Sequence, residues 1–168
     1  HIFYTKLDRY HRAREIYRHK IGTPVKNDHL IYKEKDQGFT CGIGISSDEK
    51  YYIIGTSDHT TSEVYFFDTK ELNPKPKLFK KRQKEIKYSV DSWKENFFIH
   101  TNLDAEDFKI CVCKQKNIEK WEDYIPAAKG VLIGGCDLLN DWMVRSEIRD
   151  ALAKLYVRNL NTNEEEEL

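Results

Sequence analysis

The sequence has no surplus of charge: 28 Lys and Arg face 28 Asp and Glu in 168 residues. Nucleic-acid binders carry a basic excess, so that class of partner is set aside. There is no apolar run near the ~20 residues needed to span a bilayer, which argues against a membrane helix. No leader opens the chain, since His1, Ile2, Phe3 and Tyr4 run straight into strand-like sequence. A start inside a strand, without an initiator Met, leads us to expect a piece of a larger protein. Cysteines are few: Cys41, Cys111, Cys113 and Cys136, each inside an apolar run. Neither C-x-x-C nor a paired Cys and His loop occurs, so no zinc site is expected. The thiols read as buried and reduced, in a cytoplasmic protein.

Residues 39–79 also lack any apolar stripe at helical spacing. They read FTCGIGI, SSDEK, YYIIGTS, DHTTSE, VYFFD, TKELNPKPK and LF, that is, strands separated by polar turns. Aromatic residues make up 12% of the chain, which favours strands. A four-stranded meander of this length is the unit of a β-propeller. The layout recurs: Tyr52, Phe98 and Met143 occupy equivalent places, 46 and 45 residues apart, within the ~40–50 of propeller repeats. A β-sandwich or twisted open sheet also fits short strands with turn signals, and the period is what separates them.

The expected fold is therefore all-β: about three and a half four-stranded antiparallel blades, over residues 1–160. The blades fall at about 1–37, 38–84, 85–129 and 130–160, with three, four, four and three strands. Residues 161–168, with four consecutive glutamates, read as a disordered acidic tail. In the second blade, Phe39, Cys41, Ile43 and Ile45 alternate with Thr40, Gly42 and Gly44. The bare face suits an innermost strand, where a neighbouring blade approaches closely. Blades left open at both ends expose edges, so a homo-oligomer joined through them is expected.

Other patterns weigh little as chemistry. Gly42-Ile43-Gly44 lies mid-strand and lacks the third glycine of a phosphate loop. Residues 104–107 (DAED) do not have calcium-loop spacing. Residues 79–82 (FKKR) are short and flanked by Glu85, and read as a connector between blades. Asp58 and His59 lie near Ser57 and Ser62, but a triad is made by geometry across a fold, not by neighbours in one loop. No catalytic, cofactor-binding or metal-binding residue is assigned, and no cofactor is expected.

Five short motifs appear in a telling order: 17–23 (YRHKIGT), 30–36 (LIYKEKD), 60–64 (TTSEV), 88–91 (YSVD) and 98–102 (FIHTN). Together they resemble the oligopeptidase B (protease II) branch of the prolyl oligopeptidase family of serine peptidases, from Phe3 to about Leu160. The resemblance implies a seven-bladed propeller joined to an α/β-hydrolase catalytic domain. It implies cleavage of short peptides after Arg or Lys, with the propeller acting as a size filter. This chain looks like the middle blades, roughly a quarter of a full-length member. Residues 146–152 (SEIRDAL) depart from the pattern, which has glycine where Ala151 stands, and this puts that turn in doubt. The nucleophile elbow G-x-S-x-G is absent; Ser46, Ser47, Ser57, Ser62, Ser89, Ser92 and Ser146 have no glycines at that spacing. The chain alone is thus expected to be inactive, its partners being the catalytic domain and short basic peptides. The alternative is a non-catalytic binding or scaffolding propeller fragment, from a disrupted peptidase gene.

Overall fold

A computed structural model describes residues 1–168; it is all-β apart from a 3-10 turn at Val25–Asn27. The first sheet holds β1 (Ile2–Leu7), β2 (Ala13–His19) and β3 (His29–Lys33). The second holds β4 (Thr40–Ile45), β5 (Tyr51–Ser57), β6 (Ser62–Asp68) and β7 (Lys77–Lys80). The third holds β8 (Tyr88–Trp93), β9 (Asn96–Thr101), β10 (Lys109–Lys114) and β11 (Asn117–Ile125). The fourth holds β12 (Val131–Leu139), β13 (Trp142–Arg149), β14 (Leu152–Asn159) and β15 (Glu165–Glu167). In each sheet, strands consecutive in sequence pair antiparallel, the meander of a propeller blade.

The chain divides into two compact units, residues 1–45 with 49–85, and residues 46–48 with 86–168. In the first unit, the register sets Tyr52 opposite Phe67, Ile54 opposite Tyr65 and Thr56 opposite Glu63. Those six side chains share one face, because strand residues alternate sides. The apolar end of that face meets the first sheet: Ile54 and Phe67 pack with Ile16 and Cys41, with Phe3, Tyr32 and Tyr52 around them. Burying each large side chain fully contributes about 1.5–3 kcal/mol. The second unit has its own core of Phe98, Ile110, Ile125, Ile133, Leu138, Met143 and Leu160. The equivalent residues Tyr52, Phe98 and Met143 all lie on the second strand of their sheets and reach a core.

Two expectations are corrected. The acidic tail is not disordered: β15 completes the fourth sheet by pairing with residues 156–158 of β14. Cations opposite it supply the reason. Glu165 accepts from Arg145 at 2.6 Å and from Arg158 at 2.8 Å, and Glu167 from Lys154 at 2.5 Å. Second, Gly42 and Gly44 do not make room for a neighbouring blade. They lie on the edge strand β4, and a Cβ at either would meet nothing within 4 Å. The turn left in doubt is a two-residue hairpin between Arg149 and Leu152, with Asp150 at φ 52° and Ala151 at φ 61°. A two-residue hairpin with positive φ at both positions favours glycine, and here the second is alanine.

Candidate functional site: a buried ion network beside a basic pocket

The face that carries Thr56 and Glu63 ends in a polar cluster. Glu34, just after β3, and Glu63, on β6, both reach Arg82, just after β7. The Arg82 guanidinium lies 2.8 Å from Glu34 Oε2 and 2.8 Å from Glu63 Oε2. Its Nε also donates to Glu63 Oε2 at 3.1 Å, and its amide donates to Glu63 Oε1 at 2.9 Å. The guanidinium carbon lies over the Phe39 ring, 4.0 Å from its centre. Glu34 further accepts from the Thr56 and Tyr32 hydroxyls, at 2.5 and 3.0 Å, and from the Asp36 amide at 2.8 Å. Both carboxylates are almost wholly buried, with side-chain exposures of 3% and 6%.

Burial pushes Glu34 up, but the Thr56, Asp36, Arg82 and Tyr32 hydrogen bonds more than offset it and bring it down to about 2. Arg82 is raised above its ordinary value: burial works against the charge, and the two carboxylates outweigh it. Glu34 and Arg82 are thus both charged at neutral pH. The cluster joins the end of the first sheet to two elements of the second, all within one unit.

Glu34 also forms part of the wall of a cavity of about 440 Å³ at the β1–β2 loop. Lys6, Leu7, Asp8, Arg9, Tyr10, Arg12, Arg14, Glu15, Lys33 and Gln37 complete the lining. Each carboxylate here is ion-paired: Asp8 with Arg12 at 3.1 Å, Glu15 with Lys33 at 2.7 Å, and Glu34 with Arg82, which it shares with Glu63. Arg14 instead donates to two backbone carbonyls, of Phe39 at 3.2 Å and of Glu34 at 3.1 Å. Arg9 and Arg12 both lie over the Tyr10 ring, at 4.7 and 5.2 Å. Lys6 lies over Tyr17 at 5.7 Å.

The residues weighed from sequence are scattered. Asp58 Oδ1 is taken by the amides of Thr60 and Thr61, both at 2.7 Å, so it shapes its own turn and is not set to orient His59. Phe79 is buried, and of the FKKR stretch it is Arg82 that matters, a role the sequence reading missed. The cysteines are free thiols; burial pushes Cys41, Cys111 and Cys113 up to about 11 and Cys136 up to about 12. Such thiols stay protonated and unreactive near neutral pH. No group of three His, Cys, Asp or Glu side chains is placed to hold a metal ion. No helix is long and apolar enough to cross a membrane.

In the second unit, His100 stacks on Phe108 at 4.7 Å, and its Nε2 meets the Ile133 carbonyl at 2.8 Å. Burial lowers its pKa, and the Ile133 hydrogen bond opposes that only in part. Arg145, buried on β13, holds Glu147 at 2.8 Å as well as Glu165.

Four blade-like sheets, with an ion network fastening the first to the second, define a propeller segment. Comparison with known proteins identifies the kind. The profile of the prolyl oligopeptidase N-terminal β-propeller domain matches residues 1–167, and the chain belongs to that family. It is 35% identical over 113 residues to Protease 2 of Moraxella lacunata, covering 67% of this chain and 16% of that protein. It is 29% identical over 149 residues to dipeptidyl aminopeptidase BI of Pseudoxanthomonas mexicana, covering 86% and 20%. Among solved structures, oligopeptidase B from Trypanosoma brucei, in its closed form with covalently bound antipain, superposes with a TM-score of 0.89. That match has 28% identity and covers 97% of this chain and 24% of that one. The chain thus spans between about a sixth and a quarter of these relatives.

Proposed function

We propose that this chain is the substrate-gating propeller portion of an oligopeptidase B-like serine peptidase that cleaves short peptides after Arg or Lys. Catalysis belongs to an α/β-hydrolase domain outside these residues. The observation that carries the reading is the family match over residues 1–167, which falls wholly on the propeller domain. The ion network supports it: a filter has to hold its aperture, and buried charges at a sheet-to-sheet contact hold one arrangement. Free, unreactive thiols support a reducing, cytoplasmic setting.

The purified chain is assayed with an Arg-containing chromogenic peptide, alone and after fusion to a hydrolase domain of the family. The reading expects no turnover alone, and turnover of short peptides but not of folded proteins from the fusion. Turnover by the chain alone that a serine-reactive inhibitor blocks would overturn it. A reading frame that stops soon after Leu168 would favour the scaffolding alternative, and one that runs on into G-x-S-x-G would favour gating.

A homo-oligomer is part of the same reading. The fourth sheet turns Leu139, Trp142, Ile148 and Leu155 to solvent, all 45–57% exposed, and a second copy would cover them. Light scattering showing only monomer at high concentration would remove this part.

A further inference from the structure

We propose that the pocket at the β1–β2 loop is a binding site for a small oxyanion, a carboxylate or a phosphate group, held by Lys6, Arg9 and Arg14. The charge count inside the pocket carries it. Five cations, Lys6, Arg9, Arg12, Arg14 and Lys33, line the pocket against three carboxylates, Asp8, Glu15 and Glu34, and Glu34 is held from outside the lining by Arg82, which it shares with Glu63. Arg12 and Lys33 pair with Asp8 and Glu15, Lys6 stands opposite Glu15 in the strand register, and Arg9 and Arg14 make no ion pair with a carboxylate.

Arg14 is the anchor. Its two terminal nitrogens are fixed on the Phe39 and Glu34 carbonyls, so the fork is already oriented. Carbonyls satisfy the donors but leave the charge in place. A half-buried guanidinium so held gains more from an arriving oxyanion than a mobile surface one, because little ordering remains to be done. Tyr10 steadies Arg9 and Arg12 on its ring, and Arg12 is tied to Asp8 and to the Gln37 carbonyl at 2.7 Å. The cavity, about 440 Å³, is in the range of small-molecule sites. Leu7 is its one aliphatic lining residue, which suits a polar occupant. The balanced charge of the whole chain argues against a long polyanion and for an anion small enough to sit inside. The proposal stands whether or not the peptidase reading does.

The whole chain is titrated calorimetrically with inorganic phosphate and, separately, with succinate, at constant ionic strength set with sodium chloride. Saturable one-site binding in the millimolar range or tighter is expected from at least one of them. Phosphate alone would identify a phosphate site, succinate alone a carboxylate site, and both a general oxyanion site. Lys6→Ala with Arg9→Ala, both exposed and outside the core, should weaken binding by about tenfold or more with the unfolding midpoint unchanged. Arg14→Lys, which keeps the charge but not the fork, should weaken it as well. Lys116→Ala, in the turn between β10 and β11, should change nothing. No saturable heat with either anion up to about 10 mM, or equal affinity in the double variant, would overturn the assignment.

Discussion

Replacing Arg82 with methionine tests the ion network directly. The substitution keeps length and apolar contact with Phe39 but leaves Glu34 and Glu63 buried without their shared cation. Breaking a buried pair from one side costs ~3–5 kcal/mol. The lower end applies. Glu34 keeps the Thr56 and Tyr32 hydroxyls and the Asp36 amide, and Glu63 keeps the amide of residue 82 and the Tyr65 hydroxyl. The expected loss is therefore about 3 kcal/mol, or roughly 6–12 °C in Tm at ~2–4 °C per kcal/mol. The probe has to see the right unit. Trp93, Trp121 and Trp142 all lie in the second unit, so indole fluorescence would miss the change. Far-UV circular dichroism, with amide exchange read over residues 29–85, would detect it.

The pH dependence gives an independent check. In the native chain Glu34 titrates at about 2, below its ordinary 4.5. A depressed carboxylate contributes stability that is complete above the unfolded value and fades as pH falls toward the folded one. Without Arg82, burial is less opposed, and Glu34 accepts a proton more easily. The deficit of the variant should shrink between pH 7 and pH 4. Joint replacement of Glu34 and Glu63 by Gln alongside Arg82→Met should recover most of the loss. A deficit below about 1 kcal/mol at pH 7, or one constant down to pH 4, would refute the reasoning.

Three further outcomes are expected. Ala151→Gly should raise stability by about 0.5–1 kcal/mol, because a left-handed alanine costs ~1–2 kcal/mol and glycine gives back part of that in chain entropy; urea midpoints decide it. Burial sets His100 below its ordinary 6.5, so its contribution is complete above the unfolded value and falls as the solution is acidified through it. His100→Gln, which still donates to the Ile133 carbonyl, should lose less stability than the native chain between pH 7 and pH 5. Glu165→Ala should release β15 and cost about 1.5–3 kcal/mol, since it removes charged hydrogen bonds to Arg145 and Arg158; amide exchange at residues 156–158 should quicken.

The sheets were legible because their pattern is local. Alternation over four to seven residues, broken by turns, locates a strand without knowledge of what packs on it, and the spacing of Tyr52, Phe98 and Met143 repeats it. What escaped depends on distant partners. Four glutamates in a row look solvated until Arg145, Arg158 and Lys154 are seen across the hairpin. Arg82 looked like a connector residue because its partners lie 19 and 48 positions away. Yet the clue was present: Glu34 and Glu63 sit in two of the motifs that carry the family resemblance, 30–36 and 60–64, and the fold brings both to one guanidinium. The glycines misled for the opposite reason. A bare strand face implies a close neighbour, and β4 has open space there.

Every ladder joins strands adjacent in sequence, so each sheet can assemble as a series of short hairpins, with little chain entropy lost at any one closure. The Glu34–Arg82 bond is different in kind, since it spans 48 residues and needs both of the first two sheets in place. It belongs to a late event, the docking of one formed sheet on another. Arg82→Met should therefore leave the refolding rate nearly unchanged and put most of its effect into faster unfolding. In a chain made from its first residue onward, Glu34 waits for its cation until more than forty further residues have been added.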